Sequence, residues 1–126
     1  MKKLCAPIPN ALLVILSAAV FLAPSAFGKK KAASDDSAVE AGRTVFKKNC
    51  GTCHYSDKSD QKVGPGLKDL FKNKELPASH KEATEANVRA QIANGNPKAK
   101  PMPMPAFADK LSDEELDNLV AYLKSL

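Results

Sequence analysis

A chain of 126 residues with a net charge of +5, no tryptophan and 6% aromatic residues has room for one domain and a leader. It has little large apolar surface from which to build a core, and small domains of this kind commonly complete theirs with a metal, a cofactor or a disulfide. The length leaves no room for a multidomain machine, and no aromatics interleave with the basic residues as a nucleic-acid surface would require.

The chain opens with Lys2 and Lys3, an apolar run "ALLVILSAAVFLAP" and the small residues "SAFG". A basic start, an apolar stretch and a small-x-small site predict a secretory signal over residues 1–28, with Ala26 and Gly28 before the cut and Lys29 after it. The alternative is an uncleaved anchor, which would put the protein on a membrane, but the run is short of the roughly 20 residues of a span. Either way the working part is exported, and the expected location is the periplasm. Cys5 leaves with the leader, so the exported chain keeps only Cys50 and Cys53. A bridge between cysteines so close together closes a tiny loop and constrains the unfolded chain little, which favours a reactive use over a staple.

Residues 29–37 are charged and small, the composition of a flexible linker. From residue 38 the pattern turns helical: Val39, Gly42, Val45, Phe46 and Cys50 fall three and four apart on one face. Residues 55–66 are polar and end in Gly64-Pro65-Gly66, a loop and turn. "LKDLF" (67–71) allows one or two helical turns, and 73–83 is irregular. A short helix follows over 84–95, with Thr84 or a neighbour as N-cap, Val88 and Ile92 on its apolar face and Gly95 as its stop. Pro97, Pro101, Pro103 and Pro105 keep 96–110 extended. Ser112 and Glu115 then form a capping box, flanked by Leu111 and Leu116 as a hydrophobic staple. Leu116, Leu119, Val120 and Leu123 make one apolar stripe. The domain is therefore expected to be all-α, small, and rich in loops.

Cys50-Gly51-Thr52-Cys53-His54 reads as C-x-x-C-H. A redox dithiol of this spacing wants a βαβ setting, and the chain offers no strands. Zinc would have to use Cys50, Cys53, His54 and the distant His80, with two ligands adjacent in sequence. Covalent haem attachment fits better. Thiols at i and i+3 of one helical face reach the two vinyl groups on one edge of a porphyrin, and the next residue brings its imidazole beneath the iron. A second iron ligand has three candidates, Met102, Met104 and His80. The two methionines lie in "KPMPMPAF", where prolines stiffen the backbone enough to present a sulfur at a fixed point. Both cannot face the iron from one conformation, because a polyproline II strand turns once every three residues.

Residues 38–126 resemble a class I mono-haem cytochrome c of the small bacterial c5, c6 and c-553 kind. The resemblance rests on "AGRTVFKKNCGTCH", "GPGL" and "MPAFADKLSDEELDNLVAYLKSL". It implies three to four short helices with long loops wrapped around one covalent haem c, and crossing N- and C-terminal helices. Gly42 and Phe46 would meet Leu119 and Tyr122 at the crossing. It further implies that Cys50 and Cys53 carry the haem thioethers, with His54 and Met104 as axial ligands and Met102 as the competing sulfur. Pro65 would accept a hydrogen bond from the His54 ring, and Leu67 would pack on the haem.

The activity implied is exchange of single electrons with redox protein partners, without catalysis. The alternatives are a haem subunit of a periplasmic oxidoreductase complex, or an open-site haem peroxidase or gas-binding protein. Loss of Lys2 and Lys3 would take the net charge of +5 down to +3, and the lysines around the motif are candidates for steering an acidic partner.

Overall fold

The computed structural model of the protein describes residues 35–126. The expected signal peptide and its cleavage point lie outside the described residues. Three α-helices form the frame: α1 (Asp35–Asn49), α2 (Glu85–Asn94) and α3 (Asp113–Lys124), with a short 3₁₀ turn at Leu70–Lys72. Among the described residues there is no strand, only two isolated bridges, Glu75 with Glu82 and Asn96 with Met104. Nor is any helix there long and apolar enough to cross a membrane.

Helix α1 differs from expectation at both ends. It begins at Asp35, so residues 35–37, read as the end of a linker, are its first turn. Asp36 stands there at the positive end of the helix dipole, and Lys47 and Lys48 close the last turn at the negative end. The regular helix stops at Asn49 rather than running through the motif. The N–H groups of Cys50 and Gly51 both donate to Phe46 O, at 2.8 and 2.9 Å, and glycine is a poor residue to continue from.

The core is assembled where α1 crosses α3. Val45, Phe46, Leu119, Tyr122 and Leu123 are buried there in one cluster with Leu70, Leu76, Val88 and Ile92. Gly42 lets the two backbones touch, since a Cβ at this position would lie 1.9 Å from Asn118 O. The rings of Phe46 and Tyr122 fill the adjoining space, 5.5 Å apart and tilted by 58°. Aromatic pairs prefer such a tilt to a stacked sandwich. Phe46→Ala is expected to cost about 3–5 kcal/mol by leaving a cavity. Gly42→Val acts through overpacking, at about 1–3 kcal/mol or more. Thermal melts check both, and wild-type melting in both variants would disprove this account of the crossing.

The other two helices are capped as their sequences predict. Thr84 Oγ1 accepts from Asn87 N at 3.3 Å at the start of α2. At α3, Ser112 and Glu115 cap each other reciprocally, with Ser112 N donating to Glu115 Oε2 at 2.9 Å. An ion network ties α2 to α3: Arg89 pairs with Glu85 at 2.9 Å and Asp117 at 2.7 Å, and Lys124 also reaches Glu85. Lys124, then Arg89, hold the Glu85 carboxyl below its ordinary range. The network is solvent-facing, so it aligns the helices more than it stabilises them.

Candidate functional site

The C-x-x-C-H segment sits on tight turns at the end of α1. Cys50 O accepts from Cys53 N at 3.0 Å and from His54 N at 2.9 Å. One helical turn therefore continues past the end of the helix, with the two thiols spaced by it and His54 directly after. A second segment is laid against it by backbone hydrogen bonds. Gly64 N donates to Cys53 O and Leu67 N to Tyr55 O, each at 2.8 Å. Lys62 Nζ adds a bond to Gly51 O at 2.7 Å.

That register brings Pro65 O to 2.8 Å from His54 Nδ1, so the ring nitrogen donates to the carbonyl. The bond fixes the tautomer and leaves Nε2 as the ring's remaining donor atom. Gly64 backs directly onto the imidazole: a Cβ there would stand 2.4 Å from His54 Cε1. Sequence reading took Gly64 as a turn residue only and missed this role. The contact depends on which backbone atoms pair across the loop, and composition does not carry that.

The methionine loop is clamped at two points. Asn96 N donates to Met104 O at 2.9 Å, and Met104 N donates to Asn96 O at 3.0 Å. Beyond it, Phe107 N reaches Ile92 O at 3.1 Å and Ala108 N reaches Ala93 O at 3.2 Å, which satisfies carbonyls at the end of α2. Gly95 permits the fit. Its φ is +68°, and a Cβ on it would lie 2.4 Å from Met104 O. Met104 is half-buried, with its sulfur 3.9 Å from Gln91 Nε2, whereas Met102 is 60% exposed. Gln91 was not singled out in the sequence; its position just before Ile92 on α2 was the available signal.

His80 stands apart from all of this. Its side chain is 80% exposed, and its Nδ1 lies 3.5 Å from Glu75 Oε2. Among the described residues no group of three or more His, Cys, Asp or Glu side chains is gathered to hold a metal ion, so the zinc set is not assembled. The Cys50 thiol also lacks the activation of a redox nucleophile. Burial, helped by Cys53, pushes the Cys50 thiol up to about 11, and a reactive dithiol needs a thiol shifted the other way.

The donor set fits a haem. It offers two unpaired thiols a helical turn apart and an imidazole held through Nδ1. Leu67, Phe71 and Phe107 pack on the core yet stay only partly buried, leaving apolar surface for a further group to cover. Fold and site together define a small all-α protein of the single-haem, C-x-x-C-H class. Residues 39–126 match the family model for cytochrome c, and the chain belongs to the cytochrome c family.

It is 39% identical over 83 residues to cytochrome c6 of Leptolyngbya boryana, covering 66% of this chain and 86% of that one. It is 34% identical over 86 residues to cytochrome c oxidase subunit 2 of Alkalihalophilus pseudofirmus, covering 68% of this chain but 25% of the subunit. Among solved structures, cytochrome c6 from the diatom Phaeodactylum tricornutum superposes with a TM-score of 0.52 at 29% identity, over 69% of this chain and 91% of that one. The protein thus has the small cytochrome c fold, carries one covalently bound haem c, and is a mono-haem electron carrier that works with other redox proteins.

Proposed function

We propose that the chain is exported to the periplasm, its residues 1–28 acting as a signal peptide, and that it shuttles single electrons there between respiratory redox proteins. In this reading Cys50 and Cys53 hold the haem thioethers, His54 and Met104 are the two axial ligands, and Leu67 packs on the macrocycle. The bound haem supplies one-electron exchange between Fe(II) and Fe(III). His54 keeps its Nε2 aimed by donating Nδ1–H to Pro65 O, and Gly64, having no Cβ, leaves the ring the space it occupies. The Asn96 and Phe107 clamps hold Met104 at fixed reach and exclude a loose loop.

The observation that carries this reading is the pairing of a tautomer-fixed imidazole with one clamped, half-buried methionine. With both axial positions filled by the chain, no site remains for oxygen or substrate, so an enzyme or gas sensor is disfavoured. The test is a visible spectrum of the purified protein with added carbon monoxide. A low-spin ferric haem with the weak long-wavelength band of a methionine–iron bond, and no carbon monoxide adduct at neutral pH, is expected. A high-spin haem that takes up carbon monoxide at once would replace this reading with an open-site one.

The match to an oxidase subunit supports a second reading, in which the same domain serves as the electron-accepting part of a membrane complex. The two separate on purification: a carrier elutes alone, and a subunit elutes with its complex. Charge is compatible with either. Lys58 and Lys62 both lie 5.2 Å from the centre of the Tyr55 ring, giving a basic surface beside the motif that suits an acidic partner.

A further inference from the structure

Lys58 and Lys62 stand equally close to the Tyr55 ring, but only the Lys62 ammonium also hydrogen-bonds to the motif. It donates to Gly51 O, between the two cysteines, at 2.7 Å. Of the side chains in the described loop 55–66, Lys62 is the one hydrogen-bonded to the C-x-x-C turn. Gly51 lies two residues past the end of α1, where carbonyls lack helical partners and the helix dipole is negative. A cation is well placed there.

The backbone of Lys62 is tied as well. Its N–H donates to Gly64 O at 2.9 Å, and Gly64 N donates in turn to Cys53 O at 2.8 Å. Gly64 abuts the His54 imidazole, and the next carbonyl, Pro65 O, accepts the ring Nδ1–H at 2.8 Å. Lys62 therefore links the C-x-x-C turn to the two residues that hold the ring.

We infer that Lys62 is a positioning residue for His54, bracing the Pro65 carbonyl against the imidazole by anchoring its own loop to Gly51. This rests on His54 as the axial ligand proposed above. A carbonyl that accepts from the far nitrogen of a ligating imidazole sets the ring's orientation and basicity toward the metal. A brace on that carbonyl acts on the iron without touching it. The Lys62 bond faces solvent, so its effect is modest: about two- to fivefold in how often the ring N–H opens to water, the range of an exposed charged contact.

The test measures exchange of the His54 Nδ1–H with solvent in the reduced, haem-loaded protein by nuclear magnetic resonance. Lys62→Met is expected to speed exchange about two- to fivefold, and Lys62→Arg to return it to the parent rate. Lys58→Met is the control. It removes the same charge from beside the same ring and leaves the Gly51 bond in place, so the parent rate is expected. Equal rates in the parent and Lys62→Met would overturn the inference. So would equal acceleration in Lys58→Met, which makes charge the cause. Matching acceleration of the Leu119 and Tyr122 amides, buried in the helix crossing, would also overturn it by showing general loosening. In the same spectra, ring C–H resonances of His54 shifted far upfield by the haem identify it as the ligand. Without that shift the ligand reading fails and takes the inference with it; with it, the exchange rates judge the Lys62 brace alone.

Discussion

Met104→Ala is expected to abolish the methionine–iron band, open the iron to carbon monoxide and lower the potential, while Met102→Ala changes none of these. The two sulfurs are two residues apart, and the backbone separates them. Met104 is bonded on both its N–H and its C=O to Asn96, and its carbonyl rests against Gly95. Met102 lies between Pro101 and Pro103 and is 60% exposed. Moving Met102 inward would break both Met104 bonds and the Phe107 contact with the end of α2. Axial ligands set haem potentials over roughly 0.8 V, so loss of a thioether should lower the midpoint by a readily measured fraction of that range. Spectroelectrochemistry of the two variants checks it. The opposite pattern would move the ligand to Met102, and no effect in either would point to His80, against its exposure.

How much of this was legible beforehand depended on whether a feature is local. The capping box of α3 lies within four residues, Ser112 to Glu115, and the structure forms it as written. Thr84 and Gly95 delimit α2 for the same reason: an N-cap hydroxyl and a positive φ are properties of one or two residues. The crossing of α1 and α3 was legible only through resemblance, since nothing local says that Gly42 faces Asn118. The start of α1 was placed late because Asp and Ser favour both linkers and first turns, and only the tertiary seat of the helix decides between them.

The place of Gly64 and the bond from Lys62 to Gly51 were not readable at all. The first owes its role to the pairing of Gly64 N with Cys53 O, eleven positions back, and the second is a contact across the same distance in sequence. Both follow from how separate stretches of chain are laid on one another. A group that is not made of amino acids leaves its mark on the sequence at its attachment points and almost nowhere else.

That same dependence on a non-protein group makes the last expectation the most severe. Cys50→Ala combined with Cys53→Ala should leave a chain that is largely unfolded. The described core consists of ten buried apolar residues with no buried polar one, spread over three helices, one short turn and, for Leu76, the loop that follows it. Leu67, Phe71 and Phe107 finish only half-covered. A domain of this size holds roughly 5–15 kcal/mol in total. Covering a single large side chain contributes about 1.5–3 kcal/mol, and a porphyrin presents several times that apolar surface. Removing the tethers turns haem binding into a bimolecular event that stabilises only as far as free haem is available. Far-UV circular dichroism and hydrogen exchange measure the outcome. A near-coil signal is expected, with α2 exchanging fastest, because α2 is held through Val88, Ile92, the Phe107 and Ala108 bonds to its end and the exposed ion network, whereas α1 and α3 share the aromatic contact that would be last to loosen. A double variant that melts cooperatively without haem would show that the crossing of α1 and α3 suffices as a core, and that the haem is a passenger in the fold rather than part of it.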